Sequence, residues 1–180
     1  MSEKLIFGHI EDTSVGDIFE SRRELSESGI HGPPMHGIWG REAEGSCSIV
    51  LSGGYQDDVD NLNFILYTGH GGQDVPGGNQ IANQEFTRGN KGLQISCDYN
   101  LPVRVTRGHQ IKNGPKQGYR YDGLYYVTSY ERVIGESGYY ICRFYLESEL
   151  TLNDLENKLK NNLTENYESA GRTETTVSKI

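Results

Sequence analysis

Short runs rich in β-branched and aromatic residues recur along the chain between clusters of Gly, Asn, Asp and Pro. The runs at 46–51 (SCSIVL), 63–67, 93–96, 103–106, 124–130 and 139–145 each read as a strand, because such residues pack well on a half-buried pleated surface and the clusters between them supply turns. Helical spacing occurs at 19–26, at 80–87 and at 151–163. In the last of these, Leu152, Leu155, Leu159 and Leu163 fall on one face, and Thr151 with Asp154 resembles a capping box. After Tyr167 the run ESAGRTETTVSKI has little apolar content and no period, which predicts a linker or frayed tail over 168–180. The pattern predicts an α+β domain, mostly antiparallel sheet with a few flanking helices, over 1–150, followed by an amphipathic helix over 151–167.

At 180 residues the chain has the size of one domain, and 23 glycines with 12 tyrosines suit a loop-rich β protein carrying polar-edged aromatic surface. The N-terminus MSEKLIFG lacks a basic region followed by an apolar core, and no long apolar run follows it. Neither a signal peptide nor a transmembrane helix is expected, so the expected location is the cell interior. Cys47, Cys97 and Cys142 are far apart and odd in number, which argues against zinc and against a disulfide framework and favours small core residues.

A net charge of −8 speaks against a nucleic-acid partner, yet the distribution is uneven. Residues 1–60 hold twelve acids against four bases, whereas 88–132 hold eight bases (Arg88, Lys91, Arg104, Arg107, Lys112, Lys116, Arg120, Arg132) against three acids. This predicts a positive middle face.

The stretch GGYQDDVDNLNFILYTGHGG carries most of the candidate chemistry. Its carboxylates Asp57, Asp58 and Asp60 do not make a calcium loop, since the sixth position from Asp58 is Asn63 and the twelfth is Gly69. A glycosidase-like acid and base pair among them is left open by spacing alone. The run Glu156-Asn157-Lys158 lies on the polar face of the expected C-terminal helix, away from any site, and the five histidines show no metal-binding spacing. The remaining reading is an aromatic slot. Tyr55 and Tyr67 bracket a turn and strand and can stand on opposite walls, Asp58 can accept from an exocyclic amine, and the Thr68 hydroxyl with backbone N–H groups of Gly53, Gly54 and Gly69 can donate. That edge complements cytosine. Two core tyrosines in a β domain would produce the same spacing.

The ordered motifs Ser28-Gly29-Ile30-His31, Gly37-x-x-Gly40-Arg41, Gly53-Gly54-Tyr55-x-Asp57-Asp58-Val59-Asp60, Asn63-Phe64, Tyr67-Thr68-Gly69-x-Gly71-Gly72, Pro102-Val103-Arg104-Val105 and Tyr121-Asp122-Gly123 resemble the SRA (SET- and RING-associated, or YDG) domain family over residues 7–147. The resemblance implies a strongly twisted, barrel-like SRA sheet that binds duplex DNA and flips a 5-methylcytosine or 5-hydroxymethylcytosine into an aromatic pocket. It places stacking rings at Tyr55 and Tyr67, base-edge readers at Asp58 and Thr68, and the surrounding wall at Gly53, Gly54, Gly69 and His70. His70 stands where vertebrate members have a small residue beside the base's methyl group. Two loops are expected to engage the groove. One holds Met35 and His36, an apolar wedge. The other matches an arginine-tipped finger of vertebrate members but reads Gly78-Asn79-Gln80-Ile81, without arginine. Arg41, Arg88, Lys91, Arg107, Lys112 and Lys116 are the expected contacts to the DNA backbone. The loops are similar to those of bacterial members attached to nucleases. The expectation is therefore the specificity module of a modification-dependent restriction system, with no catalytic group, metal or cofactor of its own and a nuclease domain or subunit as a possible partner. The alternative is a stand-alone binder of modified DNA.

Overall fold

The computed structural model describes residues 4–160. The strands are β1 (Ile18–Phe19), β2 (Ile38–Arg41), β3 (Gly45–Leu51), β4 (Val59–Asp60), β5 (Phe64–Thr68), β6 (Pro102–Gly108), β7 (Tyr119–Ile134) and β8 (Tyr140–Ser148). Two helices, α1 (Arg22–Glu27) and α2 (Arg88–Asp98), interrupt them. The strands form one sheet in the order β2-β3-β6-β7-β8-β5-β4, with β1 paired to β7. Among the described residues this path has two ends, β2 and β4, so the sheet does not close on itself. Of its pairings only β3 with β6 is parallel.

All seven residues of β3 are buried, because the sheet is covered on both faces there. Alternate side chains of a strand point to opposite faces. Ile49 and Leu51 join the main core with Ile65, Tyr67, Leu93, Val103, Val105, Phe144 and Leu146, while Val50 joins a second core with Leu25, Ile30 and Tyr121. The second core is roofed by α1. Its N-cap Ser21 accepts from Glu24 N at 3.2 Å, and Glu24 accepts in turn from Glu20 N at 2.8 Å, a capping box displaced by one residue. Residues 152–160 are helical, and Leu155 and Leu159 are fully buried in the main core. Each contributes roughly 1.5–3 kcal/mol by burial. Thr151 Oγ1 accepts from Asp154 N at 3.2 Å, as the capping pattern predicts. Leu163 and the expected tail over 168–180 lie outside the described residues.

Two element assignments differ from the pattern. The run 93–96 is not a strand but the middle of α2, and 80–87 is not helical but a loop leading into it. The reason is the close seat of α2 on β2 and β3. A Cβ at Gly92 would meet Ser46 Oγ at 2.2 Å and one at Gly89 would meet Ile38 at 2.8 Å. Ser96 Oγ donates to Ser46 O and accepts from Ser46 N. Glycines that weaken a helix in isolation permit this contact, so packing overrides propensity. Likewise, the expected helix at 19–26 begins only at Arg22, because Ile18 and Phe19 pair with Arg120 and Tyr119 of β7.

The Tyr121-Asp122-Gly123 motif is a piece of architecture. The pairing of β6 with β7 slips between Arg104 and Thr106, opposite this triplet, and Gly123 takes φ +95°. Such a bulge re-aims neighbouring side chains. Tyr121 enters the second core with its hydroxyl 2.9 Å from His9 Nδ1, while Asp122 turns inward to Arg107 and Arg120.

Candidate nucleic-acid interface

The chain leaves β3 at Leu51 and turns through Gly53, which adopts φ +78°. Asp58 N donates to Tyr55 O at 3.3 Å, closing a tight turn. Two side chains anchor that turn to the tip between β7 and β8: Asp57 Oδ1 accepts from Glu136 N at 2.9 Å, and Gln56 donates to Ser137 Oγ at 2.6 Å. The same turn is held to β5 by Asp58 Oδ1, which accepts from Thr68 N at 2.7 Å.

Tyr67 sits on β5, only 5% exposed, and its hydroxyl donates to Gly37 O at 3.1 Å. The close approach requires glycine there, since a Cβ at Gly37 would lie 2.9 Å from that hydroxyl. Tyr55 is half-buried and its hydroxyl accepts from Gly71 N at 3.1 Å. The segment 69–71 is pinned from below by two buried amides. Gln84 donates to Gly69 O and Gly71 O, and Asn90 accepts from His70 N while donating to His70 O. These bonds satisfy backbone groups that a buried loop would otherwise leave unpaired.

Between these elements lies an open cavity of about 690 Å³. Gly53, Gly54, Tyr55, Asp58, Tyr67 and His70 line it, together with Met35 and His36. Tyr55, Tyr67 and the Asp58 carboxylate thus share a space large enough for a nucleobase. Burial raises the Asp58 carboxyl to about 6, with no cation beside it. Burial also raises the hydroxyls of Tyr55 and Tyr67, keeping both neutral. His70 is lowered by burial, and its Nε2 is enclosed without a partner. Thr68 Oγ1 is likewise buried with no partner in hydrogen-bonding geometry, behind the wall rather than on it.

The rim loop that carries Met35 is held by His31. Burial lowers this imidazole to about 3, so it is neutral, and since Nε2 must donate to His36 O at 2.8 Å, Nδ1 accepts from Ser48 Oγ at 2.8 Å. Met35 is 78% exposed at the tip. The opposite rim is a small closed loop. Asp74 Oδ1 accepts from Val75 N and Asn79 N, Gln73 bridges Gln80, and Gln73 Nε2 donates to Gly54 O and Gly78 O.

Several expected site residues fall elsewhere. Arg107 cannot meet a phosphate: it is fully buried, bonded to Asp60 and Asp122, and its guanidinium also donates to Leu62 O. Arg104 and Arg120 are buried as well, so three of the eight bases expected on a positive middle face lie inside the sheet. Ile81 lies outside the finger, past the Gln73–Gln80 bridge, with its N–H bonded to Gly72 O. Asn79 and Gln80 line a smaller adjoining cavity of about 310 Å³. The apex is instead Val75-Pro76-Gly77, which lines the main cavity, and the Pro-Gly pair was its sequence signal. Arg88, Lys112 and Lys116 are exposed, Lys91 is half-buried and bonded to Gln94, and Arg41 pairs with Glu44. Ile111 reaches the turn at Gly53, so the basic loop around Lys112 borders the cavity, while Arg88 shares a second hollow of about 530 Å³ with His70 on the other side. Arg22, another wall residue, gave no signal in the sequence.

An open sheet whose connecting loops wall a cavity, with Tyr67 shared between that cavity and the main core, defines a β-scaffold recognition domain. The SAD/SRA domain model matches residues 6–150, and the chain belongs to that family. It is 39% identical over 167 residues to the E3 ubiquitin-protein ligase UHRF1 of Rattus norvegicus, covering 81% of this chain and 22% of that protein. It is 39% identical over 155 residues to the H3 lysine-9 specific histone-lysine N-methyltransferase SUVH4 of Arabidopsis thaliana, covering 79% of this chain and 25% of that one. Among solved structures it is similar to the modification-dependent TagI restriction endonuclease, with TM-score 0.79 and 38% identity over 86% of this chain and 56% of that chain. It is also similar to the SUVH5 SRA domain bound to fully hydroxymethylated CG DNA, with TM-score 0.71 and 36% identity over 82% of this chain and 96% of that one. The chain thus spans about a quarter or less of these two relatives and just over half of the endonuclease.

Proposed function

We propose that this chain recognises modified cytosine in duplex DNA by taking the flipped base between Tyr55 and Tyr67, with Asp58 accepting from its exocyclic amine. The observation that carries the reading is the shared cavity: two rings and a carboxylate with no cation beside it facing one space, in a fold whose solved relatives include an SRA domain on hydroxymethylated DNA. Stacking supplies roughly 1–3 kcal/mol per base–aromatic contact, enough with one charge-assisted hydrogen bond to offset the few kcal/mol of unstacking. Arg88, Lys112 and Lys116, on either side of the cavity, are the proposed backbone contacts, with Met35 as the wedge.

The likeness to a modification-dependent endonuclease supports a role as the specificity module of such a system, and the setting we propose for it is the bacterial cell interior. Residues 1–150 are the proposed recognition domain, and the helical residues 152–160 pack against it. In this reading the chain positions DNA, and any phosphodiester cleavage is supplied elsewhere. The test is a binding series on duplexes carrying cytosine, 5-methylcytosine or 5-hydroxymethylcytosine at one salt concentration. Tighter binding of a modified duplex is expected, and equal binding of all three overturns the reading.

A further inference from the structure

We propose that Arg22 binds the phosphodiester next to the flipped nucleotide, so that one cavity takes both a base and its own backbone phosphate. The proposal rests on the base-pocket reading above. Arg22 lines the cavity with Asp58, Tyr67, Met35 and His36, and among the described residues it is the only arginine or lysine to do so. Its guanidinium has no carboxylate partner among the described residues. Nη2 is committed, donating to Pro33 O at 2.7 Å and His36 O at 2.6 Å. Nε is enclosed without a partner, and Nη1 makes no hydrogen bond to a described residue. The group lies 5.9 Å from the centre of the Tyr119 ring.

An arginine stays charged under these conditions, and a half-buried cation without a counter-ion is costly until an anion arrives. Burial lowers the Arg22 pKa, the expected sign for such a site. The bonds to Pro33 and His36 hold the guanidinium to the rim loop, beside exposed Met35 and His36. A nucleotide rotated out of a duplex puts its base into the cavity and keeps its sugar and phosphate at the mouth. The anion that comes with a flipped base to this rim is therefore a phosphodiester, and the two Nη1 N–H donors suit its oxygens. Because the same guanidinium holds the loop bearing Met35, phosphate capture and wedge position are coupled.

A tether alone would predict the same geometry, so the test separates the two roles. The full chain and its R22Q and R22K variants are titrated with modified duplexes carrying a neutral methylphosphonate at the linkage 5′ or 3′ to the modified cytosine. Melting curves of each variant confirm folding. For the unaltered chain one of the two neutral linkages should weaken binding by about tenfold, the scale of a charge-assisted hydrogen bond. R22Q should lose a similar factor on the natural duplex and little more on the neutral one, while R22K keeps part of the sensitivity. If the two losses multiply, or if neither neutral linkage affects the unaltered chain, Arg22 is a loop tether only and the proposal falls. Failure of the base-pocket reading looks different: the unaltered chain then binds modified and unmodified duplexes alike.

Discussion

Asp58 and Asp60 stand two residues apart in one turn and strand, yet they belong to opposite regions of the molecule. Asp60 is paired through both oxygens with Arg107, at 2.8 Å each, and Arg107 continues to Asp122, Arg120 and the Tyr125 hydroxyl. Asp58 faces the cavity, held by Thr68 N and with no cation beside it. In the first region every charge is compensated, which fixes the loops that the sheet carries. In the second one carboxylate is left uncompensated in a place a ligand can reach. The difference teaches that a stretch of three aspartates is not one site: Asp57 anchors a turn, Asp60 locks the scaffold, and of the three Asp58 alone lines the cavity.

The compensated region should be the more fragile. Asp122→Ala leaves Arg107 and Arg120 without a shared buried counter-ion, and breaking a buried pair from one side costs about 3–5 kcal/mol. Urea denaturation should show that loss, while the surviving folded fraction still prefers modified duplex. A loss below about 1 kcal/mol would mean the network adds nothing to the scaffold.

The cavity should respond in binding rather than folding. Tyr55→Ala is expected to weaken binding of a modified duplex by about 1–3 kcal/mol while sparing weak nonspecific binding. Tyr67 needs a gentler change. Its ring is part of the main core as well as the cavity wall, so Tyr67→Ala would cost about 3–5 kcal/mol of stability and confuse the two regions. Tyr67→Phe keeps the ring and removes only the hydroxyl's bonds to Gly37 O and Val50 O. Calorimetric titration of Tyr55→Ala showing equal losses on modified and unmodified DNA would assign that ring to packing.

Asp58 also sets a pH signature. Its folded-state carboxyl is raised to about 6 from an ordinary value of 3.8. Such a group holds its proton more tightly folded than unfolded, so its contribution to stability is present at low pH and is lost as pH rises through about 6. Relative to Asp58→Asn, the unaltered chain should gain about 1 kcal/mol of stability between pH 7 and pH 5. Parallel stability curves for the two proteins would show that Asp58 is as solvated as a surface carboxylate.

The contrast also explains what could be read from the chain. Strand runs such as 103–106 and 139–145 were legible because alternation and β-branching report directly on a pleated, half-buried surface. The slot residues Tyr55, Asp58 and Tyr67 were legible because one turn and one strand bring them together. The fate of Arg104, Arg107 and Arg120 was not. A charged residue in a strand usually faces water, and its burial depends on partners such as Asp122 and the Ile6 and Gly8 carbonyls far along the chain. The helix at 88–98 was missed for a related reason, since only its seat on Ser46 and Ile38 makes sense of its glycines. Arg22 shows the same limit, because what makes it notable is an absent partner.

The smallest expected effect concerns the second strand. The finger apex Val75-Pro76-Gly77 carries no guanidinium, and its neighbour Asp74 spends Oδ1 on Val75 N and Asn79 N. An apolar apex can fill the space left by a flipped base, but it offers no bidentate donor to the orphaned guanine, a contact that elsewhere supplies about 1–3 kcal/mol of discrimination. Duplexes modified on one strand or on both should therefore bind within about 1 kcal/mol of each other, below what one such contact supplies. Val75→Ala should lower affinity for both to a similar degree, whereas Val75→Arg should begin to separate them. A preference well beyond that margin in the unaltered chain would mean that another loop reads the second strand. The basic loop around Lys112, which borders the cavity through Ile111 at Gly53, is the place to look, and Lys112→Ala and Lys116→Ala would then reduce the preference rather than only the salt dependence.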